Sequence, residues 1–123
     1  MSSLTINGLV PFIPALDLEL SQRFYLALGF KELGRTDKMI RLGVPPFEFW
    51  LQDYYVKEWA ENTMLCLYVD NLDDWWSHIQ DMKLDTNFQG KARVLAGPHQ
   101  QEGGYMLQLS DPAGVLWHLR QGA

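Results

Sequence analysis

Leu16-Asp17-Leu18-Glu19-Leu20 and Asp70-Asn71-Leu72-Asp73-Asp74 are the two stretches on which the fold turns. Each follows a short apolar run of strand character, residues 9–15 in the first case and 64–69 in the second. Each opens a stretch with helical spacing. After the first, Leu20, Phe24 and Leu28 recur every four residues with Tyr25 beside them, which makes one apolar stripe. After the second, Leu72, Trp75, Trp76 and Ile79 fall at i, i+3, i+4 and i+7. That spacing reads both Trp rings as a helix stripe packed on a sheet. Asp17 and Asn71 occupy the N-cap places, where a short side-chain oxygen can accept an otherwise unpaired amide of the first turn. Glu19, Asp73 and Asp74 suit the positive end of the helix dipole. Gly29 closes the first helix.

Outward from these helices the pattern repeats. Three strand-like runs follow the first helix, at 30–33, 39–42 and 47–52, with turns marked by Gly34 and by Gly43-Val44-Pro45-Pro46. Three follow the second, at 92–95, 105–110 and 115–120, with turns at Gly97-Pro98, Gly103-Gly104 and Asp111-Pro112-Ala113-Gly114. The order is βαβββ twice, an internal repeat faint in identity and clear in pattern. The chain is therefore read as a single domain over residues 1–123: module one over about 5–53, a partly helical linker over about 54–63, and module two over about 64–121. Two such units set side by side give an α+β fold. Its curved mixed sheet carries helices on the outer face and a concave cleft on the inner one.

A chain of 123 residues fits one domain and buries enough surface for a core without staples. The net charge of −5 argues against nucleic acid, which calls for a basic face, and is compatible with a cationic ligand. No apolar run is long enough to span a bilayer, and Met1-Ser2-Ser3-Leu4-Thr5 lacks the basic and apolar parts of a signal peptide. A cytoplasmic protein with no membrane partner is expected. Cys66 is the only cysteine, so no internal disulfide can form, and its apolar run reads it as a buried small hydrophobe. No phosphate loop, nucleophile elbow or Ser/His/Asp spacing occurs, and Gly103-Gly104 precedes a strand rather than a helix.

Several ordered segments resemble those of a known family. Val10-Pro11-Phe12-Ile13-Pro14-Ala15-Leu16-Asp17, then Phe24-Tyr25 and Leu28-Gly29-Phe30, are similar to its opening strand and helix end. Glu61-Asn62-Thr63-Met64 and Val69-Asp70-Asn71-Leu72-Asp73 follow, then Thr86-Asn87-Phe88, then Gly103-Gly104-Tyr105 leading to Asp111-Pro112-Ala113-Gly114. Across nearly its whole length the chain resembles the bleomycin-resistance proteins of the glyoxalase/bleomycin-resistance/dioxygenase, or vicinal-oxygen-chelate, superfamily. The fold that this resemblance implies is the one already read from the repeat.

Enzymes of that superfamily hold a divalent metal with His, Glu or Gln from four inner-face strand positions. Carried onto this chain, those positions fall on or beside Val10, on Glu48, on or beside Met64, and on His118. Val10 offers no ligand atom and the Met64 thioether suits a hard ion poorly. Two competent ligands fall short of the three that a catalytic zinc site uses. The expectation is no metal, no cofactor and no catalytic residue. His78 and His99 are read as solvated or lightly bonded.

The resemblance implies stoichiometric sequestration without chemistry, in the manner of antibiotic resistance to bleomycin. The family's ligand is partly flat and cationic at one end, so aromatic rings stack on it and acidic groups meet its charge. The candidate ligand-binding residues are Glu48, Trp50, Tyr54, Tyr55, Trp59, Glu102, Gly103, Tyr105 and His118. Strand alternation puts Glu48 and Trp50 on one face and Phe47 and Phe49 on the other. Glu48 then lines the cleft, binding a cation or sitting against His118, or else stands at an edge in water. Trp117, one residue from His118, faces the opposite side and packs under a helix. Two stacking aromatics of the family have no counterpart: Gln100-Gln101-Glu102-Gly103 and residues 34–38 contain none.

The family also pairs two chains by exchanging the N-terminal strand, which implies a homodimer with an arm containing Val10, Pro11 and Pro14. Proline suits such an arm and a strand edge, although it also protects an edge from aggregation. Alternative readings stay open. They are a binder of another aromatic or cationic small molecule, a metal-dependent lyase, dioxygenase or thiol transferase, and a structural dimer with a vestigial cleft.

Overall fold

Asp17 Oδ1 accepts the Leu20 amide at 3.1 Å and Asn71 Oδ1 accepts the Asp74 amide at 3.1 Å, so both principal helices start at their caps. The computed structural model describes residues 4–122. Module one contains β1 (Phe12–Ala15), α1 (Leu18–Leu28), β2 (Lys31–Arg35), β3 (Met39–Val44) and β4 (Phe47–Asp53). The linker contributes α2 (Lys57–Glu61). Module two contains β5 (Met64–Tyr68), α3 (Leu72–Asp81), α4 (Leu84–Asn87), β6 (Arg93–Gln101), β7 (Gly104–Ser110) and β8 (Leu116–Gln121).

Each module closes its own four-stranded mixed sheet, in the order β1-β4-β3-β2 and β5-β8-β7-β6. In both, the strand before the helix pairs parallel with the last strand, and the remaining pairs are antiparallel. The repeat read from sequence is thus a repeat of topology. The surface expected as one curved sheet is made of two ladders.

The helices cover one face of each sheet. Leu20, Phe24, Tyr25 and Leu28 of α1 are buried with Ile40, Leu42, Phe49 and Leu51 of the first sheet. Leu72 and Ile79 of α3 are buried with Leu107, Leu109, Trp117 and Leu119 of the second. Trp75 and Trp76 are half-buried against this core, as their helix spacing requires.

The two modules share that core. The rings of Tyr25, Phe30, Phe49 and Trp117 meet at centroid distances of 5.0 to 6.0 Å. Trp117 Nε1 donates to the Tyr25 hydroxyl at 2.8 Å, and that hydroxyl donates to Asp111 Oδ2. Asp111 Oδ1 accepts the amides of Ala113 and Val115 at 2.8 and 2.9 Å, the self-bonding expected of an Asp-Pro turn. Burial pushes the Asp111 carboxyl up to about 6, against the downward pull of those hydrogen bonds. Burial, reinforced by Asp111, also holds the Tyr25 phenol well above its ordinary value. Trp117 therefore packs under α1, as its alternation with His118 predicts.

Several boundaries differ from the sequence reading. Strand β1 begins at Phe12 rather than at residue 9, and among the described residues before it Pro11 O is tied down, accepting the Trp50 amide at 2.9 Å. Gly34 lies inside β2 at a register shift, and the turn between β3 and β4 is a cis Pro45-Pro46 bond. Gly43 lies inside β3, paired with Glu48, and glycine is needed there because a Cβ would run into the Phe47 carbonyl across the turn. Gly97-Pro98 lies inside β6, an edge strand with two register shifts, where proline costs no ladder bond. Helix α4 is too short to show a period. Cys66 is exposed, not buried: β5 is an edge strand, and Met64, Cys66 and Tyr68 alternate onto its uncovered face.

Candidate functional site

Alternation along the strands leaves one face of each sheet without a helix. On the first sheet Phe49 and Leu51 point at α1, so Glu48, Trp50 and Gln52 point away from it. Trp50 is half-buried there because Phe12 stacks beside it at 6.4 Å with an interplanar angle of 20°. The Arg41 guanidinium, on the neighbouring strand β3, lies 5.8 Å from the Trp50 ring. The same Arg41 makes an ion pair with Glu48 at 3.4 Å. The result is an aromatic shelf with the Arg41 guanidinium over the Trp50 ring and the Glu48 carboxylate paired to that cation.

On the second sheet, Trp117 and Leu119 point into the core, so His118 and Arg120 point away from it. His118 pairs in register with Cys66 on one side and Gln108 on the other, and Gln108 Nε2 lies 3.2 Å from His118 Nδ1. Between the two sheets runs a seam with a cavity of about 250 Å³, lined by Pro11, Phe47, Glu48, Cys66, Leu67 and Tyr68. Its floor is the shared aromatic core, reached through Phe30, Phe49 and Trp117. Phe47 and Tyr68 stand at its mouth with 72% and 69% of their surface exposed. The seam exists because β1 pairs only with residues 50–53 of β4, so residues 47–49 have no strand on that side.

The expected site residues divide by location. Glu48, Trp50 and His118 lie on uncovered faces, with Glu48 also at the seam. Glu48 faces Arg41 and not His118, whose neighbour is Gln108. Glu102 and Gly103 form the turn between β6 and β7. Tyr54 and Trp59 form an aromatic pair at 6.2 Å near the linker, Tyr54 exposed and Trp59 half-buried in α2. Tyr55 packs against the core. Tyr105 is a correction: it shares the helix-covered face with Leu107 and Leu109, and its hydroxyl donates to Asp73 of α3 at 2.8 Å. In the arm, Pro11 is exposed, Val10 half-buried and Pro14 buried within β1. His78 Nε2 donates to the Ala27 carbonyl at 2.8 Å, and His99 Nδ1 donates to the Gly97 carbonyl, also at 2.8 Å, so both are lightly bonded.

Phe12, Arg41 and Arg120 were missed as contributors to these faces. Arg41 had a signal, because it stands between Ile40 and Leu42 in a strand and must face away from them.

The superfamily's metal positions do not fit an ion in this chain. Val10 and Met64 supply no hard donor, Glu48 is engaged by Arg41, and among the described residues no three His, Cys, Asp or Glu side chains come together. Among the described residues no helix is long and apolar enough to cross a membrane.

No family model matches the chain. A curated bleomycin resistance protein of Klebsiella pneumoniae is 27% identical over 124 residues, spanning 90% of this chain and 89% of that one. A crystal structure of a bleomycin-binding protein complexed with bleomycin superposes with a TM-score of 0.79 at 25% identity, covering 96% of this chain and 100% of that one. A lactoylglutathione lyase from Agrobacterium tumefaciens shares the fold, with a TM-score of 0.70 at 16% identity over 96% of each chain.

Proposed function

We propose, from the premise that the chain belongs to the bleomycin-resistance proteins of the vicinal-oxygen-chelate superfamily, that it binds and sequesters a bleomycin-type drug without changing it. The observation that carries the reading is the shelf on the first sheet. There Trp50 and Phe12 offer a flat aromatic surface beside a seam deep enough to admit part of a small molecule. Glu48, Trp50, Glu102, Gly103 and His118 are the residues we assign to ligand contact, with Tyr54 and Trp59 as an outlying aromatic pair. Tyr55 and Tyr105 are withdrawn, because both serve the core side. A non-enzymatic role is supported by the donor set: two of the four metal positions carry Val10 and Met64.

The assembly we propose is a cytoplasmic homodimer that exchanges its N-terminal arm. Leu4, Ile6 and Leu9 stand almost fully exposed, an apolar row that an isolated chain leaves in water. The bare edge of β4 at residues 47–49 and the outer edge of β5 can both accept an added strand. Removing residues 1–10 is expected to convert the protein to monomers in sedimentation velocity. A truncated protein that stays dimeric would remove the arm from the assembly.

Titration of metal-free protein with bleomycin, followed by tryptophan fluorescence, tests the function. Saturable quenching at one drug per chain is the expected result. No binding at concentrations on the order of tens of micromolar would overturn the assignment.

A further inference from the structure

Arg120 does something that its position on the uncovered face does not require. It lies in β8 opposite Met106 of β7, and its Nη2 donates to the carbonyls of Gln101 at 3.1 Å and Glu102 at 2.7 Å. Its Nη1 approaches Met106 Sδ at 3.6 Å. Among the described residues no carboxylate pairs with it. A surface arginine ordinarily spends its planar fork on a carboxylate or on water. Here one nitrogen of the guanidinium, Nη2, holds two successive main-chain carbonyls of one turn, while Nη1 lies against Met106.

The turn is shaped to receive it. Glu102 and Gly103 both adopt left-handed backbone, at φ 46° and 78°. Gly104 does not, yet a Cβ at that position would lie 2.7 Å from the Arg120 guanidinium. Glycine at 104 therefore provides clearance for the arginine and not freedom for the backbone. The turn's side chains are exposed, and without the guanidinium nothing but its own hairpin bonds would hold it. The Glu102 carboxylate makes no hydrogen bond or ion pair among the described residues.

We propose that Arg120 is a positioning residue of the binding cleft: it clasps the β6–β7 turn, with clearance supplied by Gly104, and so fixes where Glu102 presents its carboxylate to the cationic end of the ligand. This rests on the sequestration reading above. The clasp acts through the main chain, so Glu102 is the contacting group and Arg120 sets its place. A fixed anion at the rim of a face that also carries His118 and Gln108 selects for ligand charge more than it adds to fold stability.

Four variants test this with bleomycin as the probe: Arg120→Gln, Arg120→Lys, Gly104→Ala and Glu102→Gln. Arg120→Gln and Gly104→Ala are each expected to weaken bleomycin about tenfold through faster dissociation, with the association rate and the thermal midpoint little changed. Gly104→Ala keeps the positive charge and only displaces the guanidinium, so it separates a clasp from a charge. Arg120→Lys keeps the charge, but its ammonium ends short of the Nη2 position and lacks the planar group that also lies against Met106, so it is expected to behave like Arg120→Gln. Glu102→Gln is expected to weaken binding in the wild-type background and to add nothing in the Arg120→Gln background. Full affinity in Gly104→Ala, or additive losses in Glu102→Gln/Arg120→Gln, would overturn the proposal. Amide exchange in the unliganded protein gives a second arm, with residues 101–104 expected to exchange faster in Arg120→Gln while β7 and β8 keep their protection. If wild-type protein binds no bleomycin, the sequestration reading fails. Unchanged exchange at 101–104 would then overturn the clasp too, and faster exchange there would support it.

Discussion

The molecule has two clusters in which aromatic rings meet charge, and they are opposites. At the junction of the modules, Tyr25, Trp117 and Asp111 are fully enclosed, and each polar atom has its partner. On the uncovered face of the first sheet, Phe12, Trp50, Arg41 and Glu48 are half-exposed, and their partners are looser. Buried polar groups are costly to leave unpaired, so the first cluster is committed to holding the structure together. The second costs little to open, which leaves its surfaces free to trade water for a ligand. Aromatic content alone does not distinguish a site from a core; burial and the completeness of hydrogen bonding do.

The contrast breaks first at Asp111. Asp111→Ala strands the Tyr25 hydroxyl and the amides of Ala113 and Val115 in a dry interior, and should cost about 4 kcal/mol, read from the urea midpoint. A cost near zero would mean that water or a rearranged turn replaces the carboxylate. The pH dependence comes next. The folded Asp111 carboxyl titrates at about 6, above the ordinary 3.8, so its contribution to stability is full below about pH 4 and is lost as pH rises through about 6. That loss is on the order of 3 kcal/mol, and it should flatten in Asp111→Asn when unfolding is followed from pH 4 to pH 7. On the exposed side the ranking reverses between stability and binding. Trp50→Ala is expected to cost about 1 kcal/mol in stability but to weaken bleomycin about tenfold. Glu48→Gln should cost about 1 kcal/mol or less, because among the described residues it has one ion pair, to a half-exposed Arg41 at 3.4 Å. A larger loss there would show that the Arg41 pair is buttressing the shelf.

The sequence disclosed what depends on local spacing. The caps at Asp17 and Asn71, the stripes of α1 and α3, and the βαβββ repeat follow from residue type and period, and the structure contains each of them. The inward placing of Trp117 follows from the same arithmetic. What was hidden depends on contacts far apart in the chain. Tyr105 stands among the candidate ligand aromatics, but its hydroxyl donates to Asp73 of α3, 32 residues earlier, on the covered face. Cys66 looked buried because its neighbours are apolar, and only the edge position of β5 exposes it. Glu48 could have met either Arg41 or His118 as far as spacing goes, and the β3–β4 register chose the arginine.

The tie between Tyr25 and Trp117 also bears on whether a doubled motif can be divided. Two identical copies could in principle be parted, each living on as a small protein of its own. Here the first copy contributes the phenol, and the second contributes the indole and the carboxylate that complete it. Neither copy retains a full set, so a gene cut at the linker would encode two fragments, each bearing polar groups that only the other could satisfy. The two repeats are complementary halves, and removing either would orphan the other.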